Sequence, residues 1–140
     1  VPKDFVEAVK WYRKSAVQGY ANAQSNLGNQ YHKGEGVPKD FVEAVKWFRK
    51  AAEQGDFNAQ VWLGHAYAKS EGVPMDSVEA YAWYNIAAAS RSDYIFGGYA
   101  KKNRDTMEKQ MTPAQIHQAQ ERSKVLTKMI EEKMAKAAGK

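Results

Sequence analysis

Residues 1–36 read VPKDFVEAVKWYRKSAVQGYANAQSNLGNQYHKGEG, and residues 37–72 read VPKDFVEAVKWFRKAAEQGDFNAQVWLGHAYAKSEG. The two stretches are identical at 25 of 36 positions. A third copy begins at residue 73 as VPMDSVEAYAWYNIAAAS, so that Trp11, Trp47 and Trp83 recur every 36 residues. Self-similarity at such a period is typical of stacked repeat arrays, in which each unit buries its apolar face against its neighbour.

Each copy has the pattern of two antiparallel helices. Apolar and small residues recur at the three-to-four spacing of a helix that buries one face, at Phe5, Ala8, Val9, Tyr12 and Ala16. A second helix is expected over about residues 22–33. Gly28 and its copy Gly64 lie inside that helix, where glycine costs about 1 kcal/mol relative to alanine. We therefore expect each glycine to lie against an aromatic side chain of the neighbouring helix.

The recurring motifs resemble those of the Sel-one-like repeat, a relative of the tetratricopeptide repeat. They are DxxEAxxWYxxAAxxG, GxGV or its variant SEGV, and AxxxLGxxY, which occurs as Ala23, Leu27, Gly28, Tyr31 and as Ala59, Leu63, Gly64, Tyr67. The resemblance covers nearly all of residues 1–100. It implies an all-α fold, a right-handed α-α superhelix or solenoid of antiparallel helix pairs. It also implies a concave face that is lined mainly by the LGxxY helices and binds a protein or peptide.

The third copy departs from the pattern after Ala89. We expect a helix from about Asp93 to Gln110, and then a new helix whose start is marked by the capping sequence Thr112-Pro113-Ala114-Gln115. The predicted buried stripe of this last helix comprises Ile116, Ala119, Leu126, Ile130 and Met134. The tail also resembles the terminal module of bacterial Sel-one-like proteins. The expected organisation is a repeat array over 1–111, with units of about 1–36, 37–72 and 73–111, followed by a capping helix and basic tail over 112–140.

Charge is distributed unevenly along the chain. Residues 1–100 hold 11 lysines and arginines against 11 acidic residues, whereas residues 101–140 hold 10 against 5. The basic tail is either a solvated helix face or a surface that docks on an acidic partner, a membrane surface or nucleic acid. The tail lacks the interleaved aromatic residues that stack on single strands, so nucleic acid is the less favoured partner.

Signals of catalysis are poor. The chain has no cysteine, which excludes disulfides, thiolate metal sites and cysteine nucleophiles. His32, His65 and His117 lack a second ligand at the spacing of a zinc helix. No catalytic residue, metal site or cofactor is therefore assigned. We predict a non-catalytic protein-interaction scaffold, with two alternatives: a cell-wall-related hydrolase or β-lactam-binding protein, and a module that binds nucleic acid or an anionic surface through its tail.

The two long copies act as controls for each other. Of the 11 positions that differ, six lie in the second helix of the unit or at its exit. By analogy with the tetratricopeptide repeat, the side chains predicted to face the groove are Asn22, Ser25, Asn29, His32, Lys33, Asn58, Val61, His65 and Lys69. Such residues suit a peptide with some acidic character; neutral drift at exposed positions is the alternative. Aromatic residues in phase with the repeat are expected in the core, whereas Trp62 is either core or an exposed anchor for the partner.

The two ends of the chain leave further alternatives open. No apolar run approaches the roughly 18 residues needed to span a membrane, and Val1 begins inside a repeat, so any targeting signal would lie outside this chain. The compartment, periplasmic, secreted or cytoplasmic in a bacterium, is left open. Phe5, Val9 and Tyr12 lack a preceding helix to cover them. Either earlier repeats precede Val1, or this end self-associates with a second copy.

Overall fold

The computed structural model describes residues 3–91 and 95–139, and these residues form seven helices and no strand. The helices are α1 (Lys3–Val17), α2 (Ala21–Lys33), α3 (Phe41–Ala52), α4 (Phe57–Lys69), α5 (Ser77–Ser90), α6 (Phe96–Glu108) and α7 (Pro113–Ala138). None of the helices in this described part of the chain is long and apolar enough to cross a membrane.

Successive helices pack on one another from α1 to α6, and α7 packs on α5. This arrangement confirms the predicted all-α array of antiparallel helix pairs. The aspartates that precede α3 and α5 cap those helices, because Asp40 and Asp76 each accept a hydrogen bond from a backbone N–H three residues later at 3.1 Å. Satisfying these otherwise free donors fixes where each helix begins.

The helical glycines allow the helices to approach closely, as predicted. A Cβ atom added to Gly28 would lie 2.7 Å from the ring of Phe48 on α3. A Cβ atom added to Gly64 would lie 2.7 Å from the ring of Tyr84 on α5. Both distances are well inside van der Waals contact, so only glycine lets α2 reach α3, and α4 reach α5, at this separation.

Polar side chains join the helices in the same register in both copies. The Gln24 amide donates to the carbonyl of Ala16 at 3.1 Å, and the Gln60 amide donates to the carbonyl of Ala52 at 3.2 Å. The repeat also pairs an arginine with a tyrosine hydroxyl: Arg13 with Tyr31, and Arg49 with Tyr67 at 2.5 Å. The glutamine bonds reach carbonyls in the last turns of α1 and α3, where a helix leaves backbone carbonyls without intrahelical partners. The arginine–tyrosine bonds join α1 to α2 and α3 to α4.

The repeated tryptophans differ in burial, so the expectation that they all belong to the core is wrong for one of them. Trp47 and Trp83 are 5% and 0% exposed, whereas Trp11 is 66% exposed. The reason is position in the stack. Helix α3 lies between α2 and α4, but α1 packs substantially on α2 alone, which leaves Trp11 uncovered.

Helix α7 covers the end of the array. It begins with the predicted cap, in which the Thr112 hydroxyl accepts from the N–H of Gln115 and the Gln115 side chain accepts from the N–H of Thr112. The predicted buried stripe is confirmed at Ala119, Leu126 and Ile130, and Ile116 packs partly buried beside it. Met134 is 50% exposed, so its assignment to the buried stripe was wrong; it lies beside Gly55, near the C-terminal end of α7.

The preceding helix is shorter than expected. It ends at Glu108 and not at Gln110, and its expected start at Asp93 lies outside the described residues. Two basic side chains of α7 form ion pairs with the repeat array: Arg122 with Glu79 and Lys133 with Glu53, both at 2.5 Å. Part of the excess positive charge of the tail is therefore used to attach α7.

The close helix contacts predict opposite effects for two glycine substitutions. Gly64→Ala forces a methyl group against the Tyr84 ring and should lower the free energy of unfolding by about 1–3 kcal/mol. Gly98→Ala, in α6, meets no atom within 4 Å and should raise it by about 0.5–1 kcal/mol, because alanine is the better helix former. Urea denaturation measures both. Equal effects of the two changes would contradict the proposed role of Gly64.

Candidate functional site

A row of aromatic rings crosses the helices α2 to α6. Neighbouring ring centroids are 4.7–6.1 Å apart, which is the range of favourable ring contacts. We call it the aromatic row, and its members are Phe41, His32, Trp62, His65, Tyr84 and Tyr99. It brings together two histidines that occupy different positions in their repeats, so that no sequence spacing predicts their proximity.

Trp62 occupies the middle of the row and is both packed and partly accessible. Its ring stacks on Phe48 with centroids 5.7 Å apart and planes 7° from parallel. The His32 ring lies 4.7 Å away and the His65 ring 5.7 Å away. Trp62 is half-buried. It is therefore neither a fully buried core residue nor a fully exposed anchor, and it combines part of each predicted role.

His65 links three helices. Its Nδ1 is 2.6 Å from the Tyr84 hydroxyl on α5, and its Nε2 is 3.2 Å from the Tyr99 hydroxyl on α6. Burial lowers the pKa of His65, the positive charge of Lys69 lowers it further, and Glu71 opposes the shift. Burial also raises the pKa of Tyr84. The arrangement therefore favours a neutral imidazole at His65 and a neutral phenol at Tyr84.

The other histidine of the row is also engaged. The Nε2 of His32 lies 3.4 Å from a carboxylate oxygen of Glu71, and its ring lies 5.1 Å from that of Phe41. Among the described residues, no group of three or more histidine, cysteine, aspartate or glutamate side chains is placed to hold a metal ion. The histidines are thus arranged for ring packing and hydrogen bonding.

A pocket of about 400 Å³ opens at one end of the row, between α4 and α6. Two contacts between these helices border it: the edge-to-face pair Phe57–Phe96, with centroids 6.4 Å apart, and the His65–Tyr99 pair. Its lining is mostly apolar and consists of Phe57, Asn58, Val61, Trp62, His65, Ile95, Phe96 and Tyr99. The pocket has the size and composition of a site for one large apolar group.

The structure brings together some of the residues predicted to bind a partner and not others. Asn58, Val61, Trp62 and His65 line the pocket, and His32 contacts Trp62. Lys69 is exposed outside the lining. The remaining predicted residues lie on α2 away from the pocket: Asn22 and Lys33 are exposed, Asn29 is half-buried, and Ser25 is only 7% exposed, so that it offers little surface.

Four residues that line the pocket were not predicted from the sequence to bind a partner: Phe57, Ile95, Phe96 and Tyr99. A signal for Phe57 existed, because it replaces Ala21 at one of the 11 positions that differ between the two long copies. The three residues of α6 and the turn before it follow the point where the repeat breaks down. They have no matching copy with which they can be compared.

Comparisons with known proteins agree with this architecture. The profile of the Sel1 repeat matches residues 1–20, 21–56 and 58–92. The crystal structure of c5321, a protective antigen present in uropathogenic Escherichia coli strains and displaying an SLR fold, is similar, with a TM-score of 0.83 and 39% identity. That match covers 96% of this chain and 28% of the antigen chain.

A second similar structure is that of a Sel1 repeat protein from Oxalobacter formigenes. It has a TM-score of 0.60 and 45% identity, over 61% of this chain and 35% of the other. No curated protein matches the sequence significantly. In both comparisons the part that matches this chain is about a third or less of the length of the other protein. The boundaries of the matched segments place α2 with α3 and α4 with α5, and the first segment contains α1 alone.

The lowered pKa of His65 predicts how stability changes with pH. An unfolded histidine titrates near pH 6.5, whereas the folded His65 takes up its proton only at lower pH. As the pH falls through this range, the unfolded state binds more protons and the free energy of unfolding decreases. Urea titrations at pH 7.5 and pH 5.5 should show this loss.

The matched control is His65→Asn, which introduces the residue found at the same position of the preceding copy, Asn29. This variant should be less stable at pH 7.5, because it loses the bonds to Tyr84 and Tyr99. Its loss of stability between the two pH values should be smaller than that of the natural protein. An identical loss in both proteins would show that His65 does not contribute.

Proposed function

We propose that this chain, which belongs to the Sel1 repeat family, binds a protein or peptide partner along its aromatic row and uses the α4–α6 pocket as the main contact. Members of this family are generally scaffolds for protein interactions and are typically not enzymes. The proposal adds a location and a kind of contact to that general role. It concerns the present chain, which covers only part of the similar proteins.

The observation that carries the proposal is the position of Trp62. The Phe48 ring supports one face of its indole ring, and Trp62 also borders an open apolar pocket. A tryptophan held rigid in this way loses little conformational freedom when a partner binds. Tryptophans next to a desolvated pocket are the side chains that most often dominate the binding energy of an interface.

Polar groups at the border of the pocket suit a peptide backbone. Asn58 is exposed and lines the pocket, and its amide can both donate and accept hydrogen bonds. Lys69 is exposed, and it is close enough to His65 for its positive charge to lower the pKa of that histidine. An apolar side chain in the pocket and an acidic group near Lys69 would therefore match the surface, which supports a partner with some acidic character.

The two alternative functions receive less support from the described residues. For a hydrolase, His65 is bonded to two tyrosine hydroxyls and His32 to Glu71. Neither contact pairs a histidine with a serine or threonine nucleophile of the usual kind. For a module that binds nucleic acid, Arg122 and Lys133 of the basic tail are already paired with Glu79 and Glu53.

Selection of peptides from a random display library tests the proposal. Selected peptides should share a large apolar residue, and acidic residues should be enriched beside it. The double substitution Val61→Ser, Trp62→Asn installs the residues of the preceding copy, Ser25 and Asn26. It should weaken binding of the selected peptides by about 10- to 100-fold, because contacts of this kind contribute roughly 1–3 kcal/mol.

The matched control is Val42→Ser, which removes an exposed valine on α3 that does not line the pocket. This variant should bind the peptides with unchanged affinity. Circular dichroism and thermal melts check that all variants remain folded. Selected peptides that bind the double variant as tightly as the natural protein would exclude the α4–α6 pocket as the binding site.

A further inference from the structure

The aromatic rings that border the α4–α6 pocket meet one another at steep angles. Phe57 and Phe96 meet at 79°, with ring centroids 6.4 Å apart. His65 meets Tyr99 at 67° and 6.1 Å, and it meets Trp62 at 70° and 5.7 Å. Rings arranged in this way present both their electron-rich faces and their positive edges. A further ring that enters the pocket therefore finds partners for its own face and for its own edge.

These rings are accessible to a partner. Phe96 and Tyr99 are 48% and 51% exposed, and Ile95 beside them is also exposed. Phe57 and Trp62, on the opposite wall, are half-buried. Large apolar side chains that are exposed singly are common, but a group of them around a cavity is typical of a binding site. Filling the pocket removes this grouped apolar surface from water.

The charges at the pocket disfavour a basic side chain. None of the described residues that line it carries a carboxylate, and His65 is held neutral by burial, which lowers its pKa. The guanidinium group of Arg91 lies 5.3 Å from the centroid of the Phe57 ring and 4.5 Å from that of the Phe96 ring. A cation therefore already interacts with these two rings. A lysine or arginine of a partner would meet this positive charge without a counter-charge in the lining.

We propose that the α4–α6 pocket recognises an aromatic side chain of its protein or peptide partner, phenylalanine or tryptophan, in preference to an aliphatic side chain of similar size. This preference rests on the proposed function and specifies which side chain fills the site. It arises because contacts between rings contribute beyond the apolar area that they bury. An apolar cavity of about 150 Å³ holds a benzene molecule, so about 400 Å³ accommodates a phenyl or an indole ring.

The probe for the experiment is the capped tetrapeptide acetyl-Gly-Phe-Gly-Asp-amide, titrated into ¹⁵N-labelled protein at pH 7.5. Its aspartate keeps the peptide soluble and supplies the acidic group expected near Lys69. Binding is followed through the chemical shifts of the Trp62 indole N–H and of the Asn58 and Val61 backbone amides. We expect saturable shifts with a Kd of about 1 mM, as for a ligand that buries one side chain.

Two matched peptides separate ring recognition from the hydrophobic effect and from charge. In the first, cyclohexylalanine replaces phenylalanine, which keeps the carbon skeleton but removes the π-electrons. The hydrophobic effect alone predicts that this peptide binds at least as tightly, because it has the larger apolar surface. Ring recognition predicts about fivefold weaker binding. In the second peptide, lysine replaces phenylalanine, and binding should weaken about tenfold or more, because the charge loses hydration without gaining a counter-charge.

The substitution Phe57→Leu tests the contribution of the ring wall. It keeps an apolar side chain and removes one ring, so the preference for the phenylalanine peptide over the cyclohexylalanine peptide should fall from about fivefold to less than about twofold. A general loss of structure would weaken both peptides equally and leave this ratio unchanged. The matched control is Phe5→Leu, on α1 and outside the lining, which should change neither affinity. Circular dichroism checks that both variants remain folded.

Three results would overturn the proposal. The first is binding of the cyclohexylalanine peptide as tight as that of the phenylalanine peptide, which would mean that the pocket recognises apolar surface only and would leave the proposed partner site intact. The second is an unchanged ratio of the two affinities in the Phe57→Leu variant. The third is the absence of saturable shifts at Trp62 with 10 mM of the phenylalanine peptide, about tenfold above the expected Kd. That result would also count against the pocket as the main contact, which the selected library peptides test independently.

Discussion

The contact between a helical glycine and an aromatic ring sets the spacing of the helices, and the other features of the array depend on it. The rings of Phe48 and Tyr84 lie where the side chains of Gly28 and Gly64 would otherwise begin. Dispersion forces and the hydrophobic effect are strong at this distance because water is excluded from both surfaces. The hydrogen bonds that recur between helices require this spacing, because they tolerate only a few tenths of an ångström of change.

The same contact has different consequences in the two copies, because one ring carries a hydroxyl group and the other does not. The face of Phe48 is available to the indole of Trp62, which stacks parallel to it. Tyr84 extends one atom further and reaches His65, which in turn reaches Tyr99 on the next helix. A fixed backbone position thus supports a stacked ring in one unit and a hydrogen-bonded link between three helices in the next.

The sequence predicts the helices and their pairing well, because those features depend on contacts that recur with the period of the repeat. Gly28 and Gly64 were assigned to close contacts for this reason. The proximity of His32, Trp62 and His65 was not predicted, since it depends on how two helices from different units are placed. The contribution of α6 to the pocket was also missed, because Phe96 and Tyr99 have no counterpart in a second copy. Nor did periodicity predict the exposure of Trp11, which depends on the neighbours of α1 in the stack.

Departures from the repeat, more than the repeat itself, distinguish the aromatic row from the rest of the surface. Trp62 replaces Asn26 at the aromatic row. Ser90 replaces Gln54, whose amide donates to Gln24 in the preceding copy, and the Oε1 of Gln60 has no hydrogen-bond partner among the described residues. In each case the surrounding helices keep their positions, since the glycine contacts hold them. A substitution in such a setting changes the local chemistry without moving the backbone. It creates an accessible aromatic surface in one place and an unsatisfied acceptor in the other. A stacked repeat can therefore change its local chemistry one side chain at a time, because the energy that maintains its fold is supplied by residues other than those that change.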